Sequence, residues 1–252
     1  MKAIILAAGV GSRMGRLTEA TPKCLLEINN QQVIRKQANS LKANGVFDIS
    51  VVVGYQQEKV REATRDLGLK YYSNNKFKDT GMIESLYCAK EELSGDFLMI
   101  YGDIYFEKEV ITRVLEDKND FCMIVDRLKG IEYQSEQALE RYHGEMIKKG
   151  STKVTIKGGL VKKISKSLLP EETSAEYIGI TKFSRQGAEI ILRKIQELIK
   201  TGEIKKYPSP SYLIRWLIEK GEEIQVVFVE EKDYAELDYE KDVVQAKERF
   251  EK

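Results

Sequence analysis

The 252-residue sequence is poor in histidine, proline and cysteine, and each scarcity narrows what the protein can do. With His143 as the single histidine, a histidine-rich metal site and catalysis by a histidine base are both disfavoured. Only four prolines occur, and no low-complexity stretch interrupts the chain. The sequence therefore predicts one domain over residues 1–252, without a linker.

The three cysteines are odd in number and lie far apart, at Cys24, Cys88 and Cys122. Without C-x-x-C spacing they indicate neither a zinc site nor a disulfide framework. The first apolar run, residues 3–8, is too short for a signal peptide or a membrane span. We expect a reduced, cytoplasmic protein. The 41 basic and 40 acidic residues leave a net charge of +1, which gives no electrostatic argument for a nucleic-acid partner.

What the sequence does contain is an alternation of short apolar segments with helical patterns as far as residue 126. Strands that alternate with helices indicate right-handed βαβ crossovers and a mostly parallel sheet. The predicted strands are 3–8, 49–54, 69–73, 96–103 and 120–126, and the predicted helices are 31–44, 57–67, 82–93 and 107–116.

The alternation of strands and helices ends in the second half of the chain. Residues 151–167 predict a β-hairpin that turns at Gly158 and Gly159. Further on we expect strands at 175–184 and 223–230, and helices at 185–200, 208–220 and 238–250. Residues 1–126 thus form an α/β half and residues 127–252 a mixed half of the same domain.

A glycine-rich turn follows the first apolar run, with Gly9, Gly11 and Gly15 in the stretch "LAAGVGSRMG". A dinucleotide-binding turn would need a third glycine where Met14 stands, and an acid at the end of the second strand. A P-loop would need Lys-Ser or Lys-Thr after its last glycine, which is absent here. Both of these phosphate motifs fit poorly.

The stretch "LAAGVGSRM" followed by "PKCLLEI" resembles the L-A-A-G-x-G-x-R-[ML] … P-K signature of nucleotidyltransferases that activate phosphorylated sugars and alcohols. The resemblance implies a GT-A-like (Rossmann-like) α/β fold, with a mostly parallel mixed sheet flanked by helices and β-hairpin additions in the second half. It also implies that residues 1–126 bind the NTP and residues 127–252 bind the acceptor.

The same resemblance assigns roles to the turn and to the lysine behind it. Backbone amides of a glycine-rich turn cradle phosphates, and small side chains let the base and ribose approach. Arg13 would contact the β- and γ-phosphates, and Lys23 the α-phosphate in the transition state, where they act as the catalytic cations. The other implied nucleotide contacts are Leu6, Ala7, Ala8, Gly9, Gly11 and Ser12.

Two aspartates are the implied ligands of a Mg²⁺ cofactor. Asp103 ends the predicted strand 96–103, on the edge of the sheet where ligands collect. Asp238 follows a later strand, although Glu236 and Asp242 compete for that role and Asp238 could instead cap the last helix. The D-x-D motif of glycosyltransferases is absent, because Tyr105 stands at its third position.

Residues 74–93 resemble the base-reading segment of the phosphocholine cytidylyltransferase-like subgroup. By that resemblance Glu84 and Ser85 contact the base of CTP, whereas the plain structural interpretation is a helix start capped by Thr80. The stretch "AEYIGITKFS" resembles the acceptor wall of the same subgroup. It implies acceptor contacts by Glu176, Tyr177 and Gly179.

The resemblance thus predicts a Mg²⁺-dependent cytidylyltransferase that transfers CMP from CTP to a small phosphorylated acceptor and releases pyrophosphate. Phosphocholine, 2-aminoethylphosphonate and an amino-acid phosphate such as phosphoglutamine are the acceptor candidates, and the products would decorate surface polysaccharide. A uridylyl- or thymidylyltransferase acting on a sugar 1-phosphate remains an alternative. A second alternative is a non-catalytic NTP-binding regulator.

Residues 127–150 match the family pattern least. Two interpretations stay open for them, a lid over the acceptor and a subunit contact in a homodimer. An acceptor with an ammonium group would be served by a cation–π wall. The candidate aromatic residues for such a wall are Tyr133, Tyr142, Tyr177 and Trp216.

Overall fold

The computed structural model describes residues 1–126 and 151–251. Its strands are β1 (Lys2–Ala7), β2 (Glu27–Ile28), β3 (Gln31–Gln32), β4 (Asp48–Val53), β5 (Lys70–Ser73), β6 (Phe97–Tyr101), β7 (Ile104–Phe106), β8 (Phe121–Asp126), β9 (Thr152–Lys157), β10 (Leu160–Ser165), β11 (Ala175–Phe183), β12 (Ile224–Val229) and β13 (Tyr234–Glu236). Its α-helices are α1 (Val33–Ala43), α2 (Gln57–Ala63), α3 (Met82–Cys88), α4 (Lys108–Glu116), α5 (Arg185–Lys200), α6 (Ser211–Glu219) and α7 (Glu240–Arg249).

Within the described ranges, nine strands form one sheet in the order β5-β4-β1-β6-β11-β8-β12-β10-β9. Neighbours β5, β4, β1 and β6 are all parallel, as the alternation of strands and helices predicts. The predicted hairpin is the antiparallel pair β9–β10, and Gly158 and Gly159 at its tip both have positive φ. The mixed α/β sheet expected from the sequence is confirmed.

Strand β11 comes from the second half of the chain but lies in the middle of the sheet. It runs antiparallel to β6 on one side and to β8 on the other. Its pairing with β8 shifts register between Tyr177 and Thr181, around Gly179, whose φ is 89°. The first residues of β11 also pair with β9. Strands from both halves of the sequence therefore share one hydrogen-bonded sheet.

The sheet is apolar on both faces because helices cover both. Along β1, Ile4 and Leu6 face a cluster that includes side chains of α3, α5 and α6. Ala3 and Ile5 face the other cluster, with side chains of α1, α2 and α4. This alternation buries every residue of β1 after Lys2 and fixes where its carboxyl end lies.

Short elements that periodicity did not predict complete the carboxyl edge of the sheet. Strands β7 and β13 form a two-stranded antiparallel ribbon in which Tyr105 faces Ala235. The predicted helices 57–67 and 82–93 also end early as α-helices, at Ala63 and Cys88, and continue as 3₁₀ turns. In the portion of the chain that the structure covers, no helix combines the length and apolar content needed to span a bilayer.

An ion-pair cluster ties the opposite edge of the sheet together around Glu92, which is 5 % exposed. Its carboxylate accepts hydrogen bonds from Lys2 Nζ (2.8 Å), Tyr72 Oη (2.7 Å) and Lys70 Nζ (3.2 Å). Burial by itself would raise the pKa of Glu92, but these three donors outweigh it and lower the pKa to about 2. The charged form is thus the one that the fold stabilises.

We predict that Glu92→Gln lowers the free energy of unfolding at pH 7 by about 2 kcal/mol. Because the pKa of Glu92 is lower in the folded chain, its stabilisation is complete above about pH 4.5 and is lost as the pH falls towards about 2. Urea unfolding at pH 7 and pH 3 should therefore show a smaller difference between wild type and variant at pH 3. Glu91→Gln, at the exposed neighbouring position, is the control, and an equal effect of both variants would contradict the assignment.

Candidate active site

A cleft of about 430 Å³ opens at the carboxyl ends of β1 and β6. Neighbouring strand ends are the usual ligand site of an open α/β sheet. Backbone hydrogen bonds from Gly102 N to Leu6 O (3.0 Å) and from Tyr55 N to Ala8 O (3.1 Å) hold the strand ends together. The predicted nucleotide contacts Leu6, Ala7, Ala8, Gly9, Gly11, Ser12, Arg13, Lys23 and Ser85 all line this cleft.

The glycine-rich turn is shaped by two different requirements. A side chain at Gly9 would project into open space, so the turn leaves room for a ligand there. Gly11 instead has a φ of 71°, which favours glycine, and its carbonyl accepts hydrogen bonds from Met14 N and Thr18 Oγ1, both at 2.9 Å. Two short 3₁₀ turns within Ser12–Thr18, separated by a kink at Gly15, then carry Arg13 to the rim of the cleft.

The ammonium group of Lys23 lies between the two predicted metal ligands. Lys23 Nζ is 2.8 Å from Asp103 Oδ2 and 3.0 Å from Asp238 Oδ1. On its other oxygen, Asp238 Oδ2 accepts a hydrogen bond from Arg13 at 3.0 Å. The structure thus gathers both catalytic cations and both acids predicted from the sequence into one network.

The charges in this network stabilise each other. Burial is the largest influence on Lys23 and by itself lowers its pKa, but attraction by Asp103 and Asp238 outweighs it and the pKa is raised. Arg13 follows the same pattern, with burial opposed by Asp238 and the neighbouring Tyr239, and its pKa is also raised. Both side chains therefore stay positively charged near neutral pH, as phosphate binding requires.

The β7–β13 ribbon explains how acids so far apart in sequence meet. Asp103 immediately precedes β7, and Asp238 stands two residues after β13. Antiparallel pairing places Ile104 opposite Glu236, and Leu237 N donates to Asp103 O at 3.0 Å. Leu237 is fully buried beside Met14, which anchors the connection. Three residues in each strand are too few for a periodicity signal, so sequence reasoning could not find this ribbon.

Asp103 and Asp238 have the donor chemistry that a hard divalent cation needs. Asp103 Oδ1 is buried and has no hydrogen-bond partner among the described residues. Both carboxylates contact the same group, the ammonium of Lys23. Magnesium is commonly bound by one or two carboxylates together with substrate phosphates. The described ranges hold no group of three or more acid, histidine or cysteine side chains suited to a metal. The two carboxylates fit a Mg²⁺ ion whose other ligands would come from a triphosphate.

Of the two predicted base contacts, Ser85 lines the cleft and Glu84 does not. Ser85 lines the cleft, where its hydroxyl accepts from Asn74 Nδ2 at 2.9 Å and donates to Gly81 O at 3.2 Å. Glu84 is not among the residues that line the cleft, and its carboxylate accepts from Gly81 N at 2.8 Å, as a cap at the start of α3. One oxygen of this carboxylate thus caps the helix, and a contact of Glu84 with the base stays a prediction. Thr80 is not the cap either, since its hydroxyl donates to Lys76 O.

Of the three predicted acceptor residues, only Tyr177 lines the cleft. Glu176 is buried behind it and accepts a hydrogen bond from Ser151 Oγ at 2.8 Å. A side chain at Gly179 would come within 2.6 Å of the Tyr101 ring, so this glycine makes room for Tyr101. Glu176 and Gly179 therefore support cleft residues rather than face the cleft themselves.

Sequence reasoning missed several residues that the cleft brings together. Tyr101 meets Tyr177 edge to ring at a centroid distance of 5.8 Å, and burial raises the pKa of Tyr101 well above its ordinary value. Pro208 O accepts from Met82 N at 2.7 Å, which places the 207–210 loop against the start of α3. The other unpredicted lining residues include Lys166, Ser151, Thr152, Phe77 and Ser209.

The other residues considered from the sequence are Cys24, the aromatic candidates for a cation–π wall, and residues 127–150. Cys24 lines the cleft, but burial raises the pKa of its thiol to about 12, so it stays protonated. Trp216 lies on α6 under the ammonium of Lys194, 5.2 Å from the ring centroid, and does not line the cleft. Tyr133, Tyr142 and the lid or subunit contact predicted for 127–150 fall outside the described residues.

A cleft that sets two cations and two carboxylates under a glycine-rich turn is suited to transfer of a nucleotidyl group. Comparison with known proteins defines the family: residues 3–146, more than half of the chain, match the model of the MobA-like NTP transferase domain. The chain belongs to this family and is a nucleotidyltransferase. The family resemblance seen in "LAAGVGSRM" and "PKCLLEI" is thereby confirmed.

Individual relatives agree with this assignment. The chain is 29% identical to a CTP:phosphoglutamine cytidylyltransferase of Campylobacter jejuni over 193 residues, 74% of each protein. It is 40% identical to a choline-phosphate cytidylyltransferase of Streptococcus pneumoniae over 123 residues, 49% of this chain and 53% of the relative. These matches confirm the likeness to the phosphocholine cytidylyltransferase-like subgroup.

The fold itself matches a solved structure of the same class. The CTP:phosphocholine cytidylyltransferase of Streptococcus pneumoniae superposes with a TM-score of 0.75, at 24% identity, over 98% of this chain and 97% of that one. At this identity the likeness concerns the fold alone. It confirms the predicted nucleotidyltransferase fold over nearly the whole chain.

Proposed function

We propose that this protein is a Mg²⁺-dependent cytidylyltransferase that transfers CMP from CTP to a small phosphorylated amine or amino-acid derivative and releases pyrophosphate. The observation that carries the proposal is the network of Arg13, Lys23, Asp103 and Asp238 beneath the glycine-rich turn. The choice of CTP rests on the relatives, since the matched Campylobacter and Streptococcus enzymes are both named as cytidylyltransferases. We place the product in the activation of groups for surface polysaccharide.

The chemistry needs positioning and charge more than proton transfer. An oxygen of the acceptor phosphate or phosphonate is already anionic near neutral pH, so it can attack the α-phosphorus of CTP without a general base. The bond from the α-phosphorus to the bridging oxygen then breaks, and pyrophosphate leaves with the added negative charge. Cations held in a partly buried cleft stabilise this charge far better than water does. A chain with a single histidine suffices for such a reaction.

Asp103 and Asp238 would hold the Mg²⁺ ion. Bound there, Mg²⁺ would neutralise triphosphate charge and polarise the α-phosphate. In the structure Lys23 contacts the same two carboxylates, so its ammonium lies between them, where the metal ion would bind. We propose that nucleotide binding draws Lys23 from the acids towards the α-phosphate, while Arg13 at the rim reaches the β- and γ-phosphates.

Lys166 is the candidate residue for the acceptor phosphate. It follows β10 directly, lines the cleft and forms no ion pair within 4 Å among the described side chains. Among the described side chains, its charge therefore has no acid within 4 Å to neutralise it, in contrast to Lys23. An acceptor held between Lys166 and Tyr177 would lie across the cleft from the glycine-rich turn, with its anionic oxygen directed at the nucleotide.

A pyrophosphate-release assay with a panel of nucleotides and acceptors tests the proposal. We expect release with CTP and one of phosphocholine, 2-aminoethylphosphonate or phosphoglutamine, and none with EDTA present. The uridylyl- or thymidylyltransferase alternative predicts release with UTP or dTTP and a sugar 1-phosphate. CTP binding without release for any acceptor would support the non-catalytic regulator.

Lys23→Ala should reduce kcat by about 10²-fold or more, because a cation that stabilises the transition state is lost. Lys36→Ala is a matched control, since Lys36 is equally shielded (12% exposed, against 13% for Lys23) and ion-pairs with Glu107 away from the cleft. The control should keep turnover within about 3-fold. Near-normal turnover of Lys23→Ala, or equal losses in both variants, would refute the role of Lys23.

Lys166→Ala should raise the KM for the acceptor about 10-fold or more and leave the KM for CTP within about 2-fold. The physical reason is that a charge-assisted hydrogen bond to a phosphate is among the stronger polar contacts. Lys162→Ala removes an exposed lysine of the preceding strand β10 and serves as the control. Steady-state kinetics with each substrate varied would show a larger effect on CTP if Lys166 served the nucleotide instead.

A further inference from the structure

Asp242 is a buried acid next to the metal-binding residues, and only 4% of it is exposed. It stands in the first turn of α7, four residues after Asp238. From the sequence it was a competitor for the metal itself. The structure shows a different use of its carboxylate.

One oxygen of Asp242 holds the backbone that presents Asp238. Asp242 Oδ2 accepts hydrogen bonds from Asp238 N and Tyr239 N, each at 2.8 Å. In return, Asp242 N donates to Tyr239 O at 2.9 Å, which closes a capping turn at the start of the helix. The two backbone amides are thus fixed by an anion at a helix N-terminus, where negative charge is favoured.

The amides that Asp242 binds belong to Asp238, which lines the cleft, and to Tyr239, whose ring contacts Arg13. Asp238 ion-pairs with Lys23 and Arg13, and the guanidinium of Arg13 lies 5.8 Å from the centre of the Tyr239 ring. On the other side of this segment, Leu237 N donates to the carbonyl of Asp103. The short stretch 237–239 is therefore held from both ends, by Asp103 and by Asp242.

We propose that Asp242 is a positioning residue that fixes the Asp238 carboxylate relative to Asp103, so that both oxygens can bind one divalent cation beside the triphosphate. This inference rests on the proposed function. Without the Asp242 contact, the two amides at 238 and 239 lose their shared acceptor, and the chain can rotate about Asp238. Hydrogen bonds that orient metal ligands typically change metal affinity or activity by 10- to 100-fold when they are removed.

The test compares Asp242→Ala with Asp242→Asn, whose amide oxygen can still accept from both backbone N–H groups. Mn²⁺ is titrated into protein saturated with CTP, without acceptor, and its binding is followed by water proton relaxation. We expect Asp242→Ala to weaken Mn²⁺ binding about 10-fold and to lower kcat at fixed Mg²⁺ by a similar factor. Asp242→Asn should stay within about 3-fold of wild type in both measurements.

Ser184→Ala is the matched control for loss of a helix cap. Ser184 Oγ accepts from Gly187 N at 3.1 Å at the start of α5, and Ser184 does not line the cleft. The control should lower the melting temperature and leave Mn²⁺ binding and kcat unchanged. If Asp242→Ala also loses only thermal stability, Asp242 is a helix cap alone and the inference fails.

Two further outcomes are distinguishable. Should Asp242→Ala not fold, Asp242→Ser replaces it, because the serine hydroxyl is uncharged and lies one bond closer to the backbone than Asp242 Oδ2, and wild-type Mn²⁺ binding by this variant would overturn the inference. Absence of pyrophosphate release from the wild type with every acceptor would contradict the proposed function. The Mn²⁺ titration would still decide the role of Asp242, since it needs no turnover.

Discussion

The site depends on one electrostatic constraint, which is that two carboxylates brought close together need positive charge between them. Asp103 and Asp238 are fixed near each other by a short ribbon, and the Lys23 ammonium lies within 3.0 Å of both. In a partly buried cleft, two like charges without such compensation would raise each other's energy by several kcal/mol. The positive charge that stabilises the two acids is also the charge that the proposed reaction needs on the phosphates.

Much of this arrangement was accessible from the sequence, for identifiable reasons. The alternation of apolar segments with amphipathic helices is a strong signal because parallel strands are buried on both faces. The turn around Gly9 and Gly11 was recognisable because backbone-mediated phosphate binding restricts which residues fit. The superposition confirms the fold and the family match confirms the resemblance, while phosphate binding by the turn stays a prediction. The network of Arg13, Lys23 and the two acids also follows the residues named from the sequence.

Three predicted site residues, Glu84, Glu176 and Gly179, lie outside the lining of the cleft. Glu84 looked available for a base but caps its own helix, a local contact that competes for the same carboxylate. Glu176 faces inward because β11 pairs on both sides and places it beside Ser151. Lys166 and Ser209 enter the cleft through long-range packing, which has no short-range signature. Residue type and spacing identified the charged residues of the cleft better than the residues that form its walls.

The position of β11 has a consequence for how such an enzyme can move and diversify. Because this strand from the second half is hydrogen-bonded between β6 and β8, the two halves of the sequence cannot swing apart as rigid bodies without breaking the sheet. Opening and closing of the cleft must then be confined to its surrounding turns. For the same reason, the second half of the chain cannot be exchanged as a separate unit to change the preference for an acceptor. That preference has to change through substitutions in the loops around the cleft.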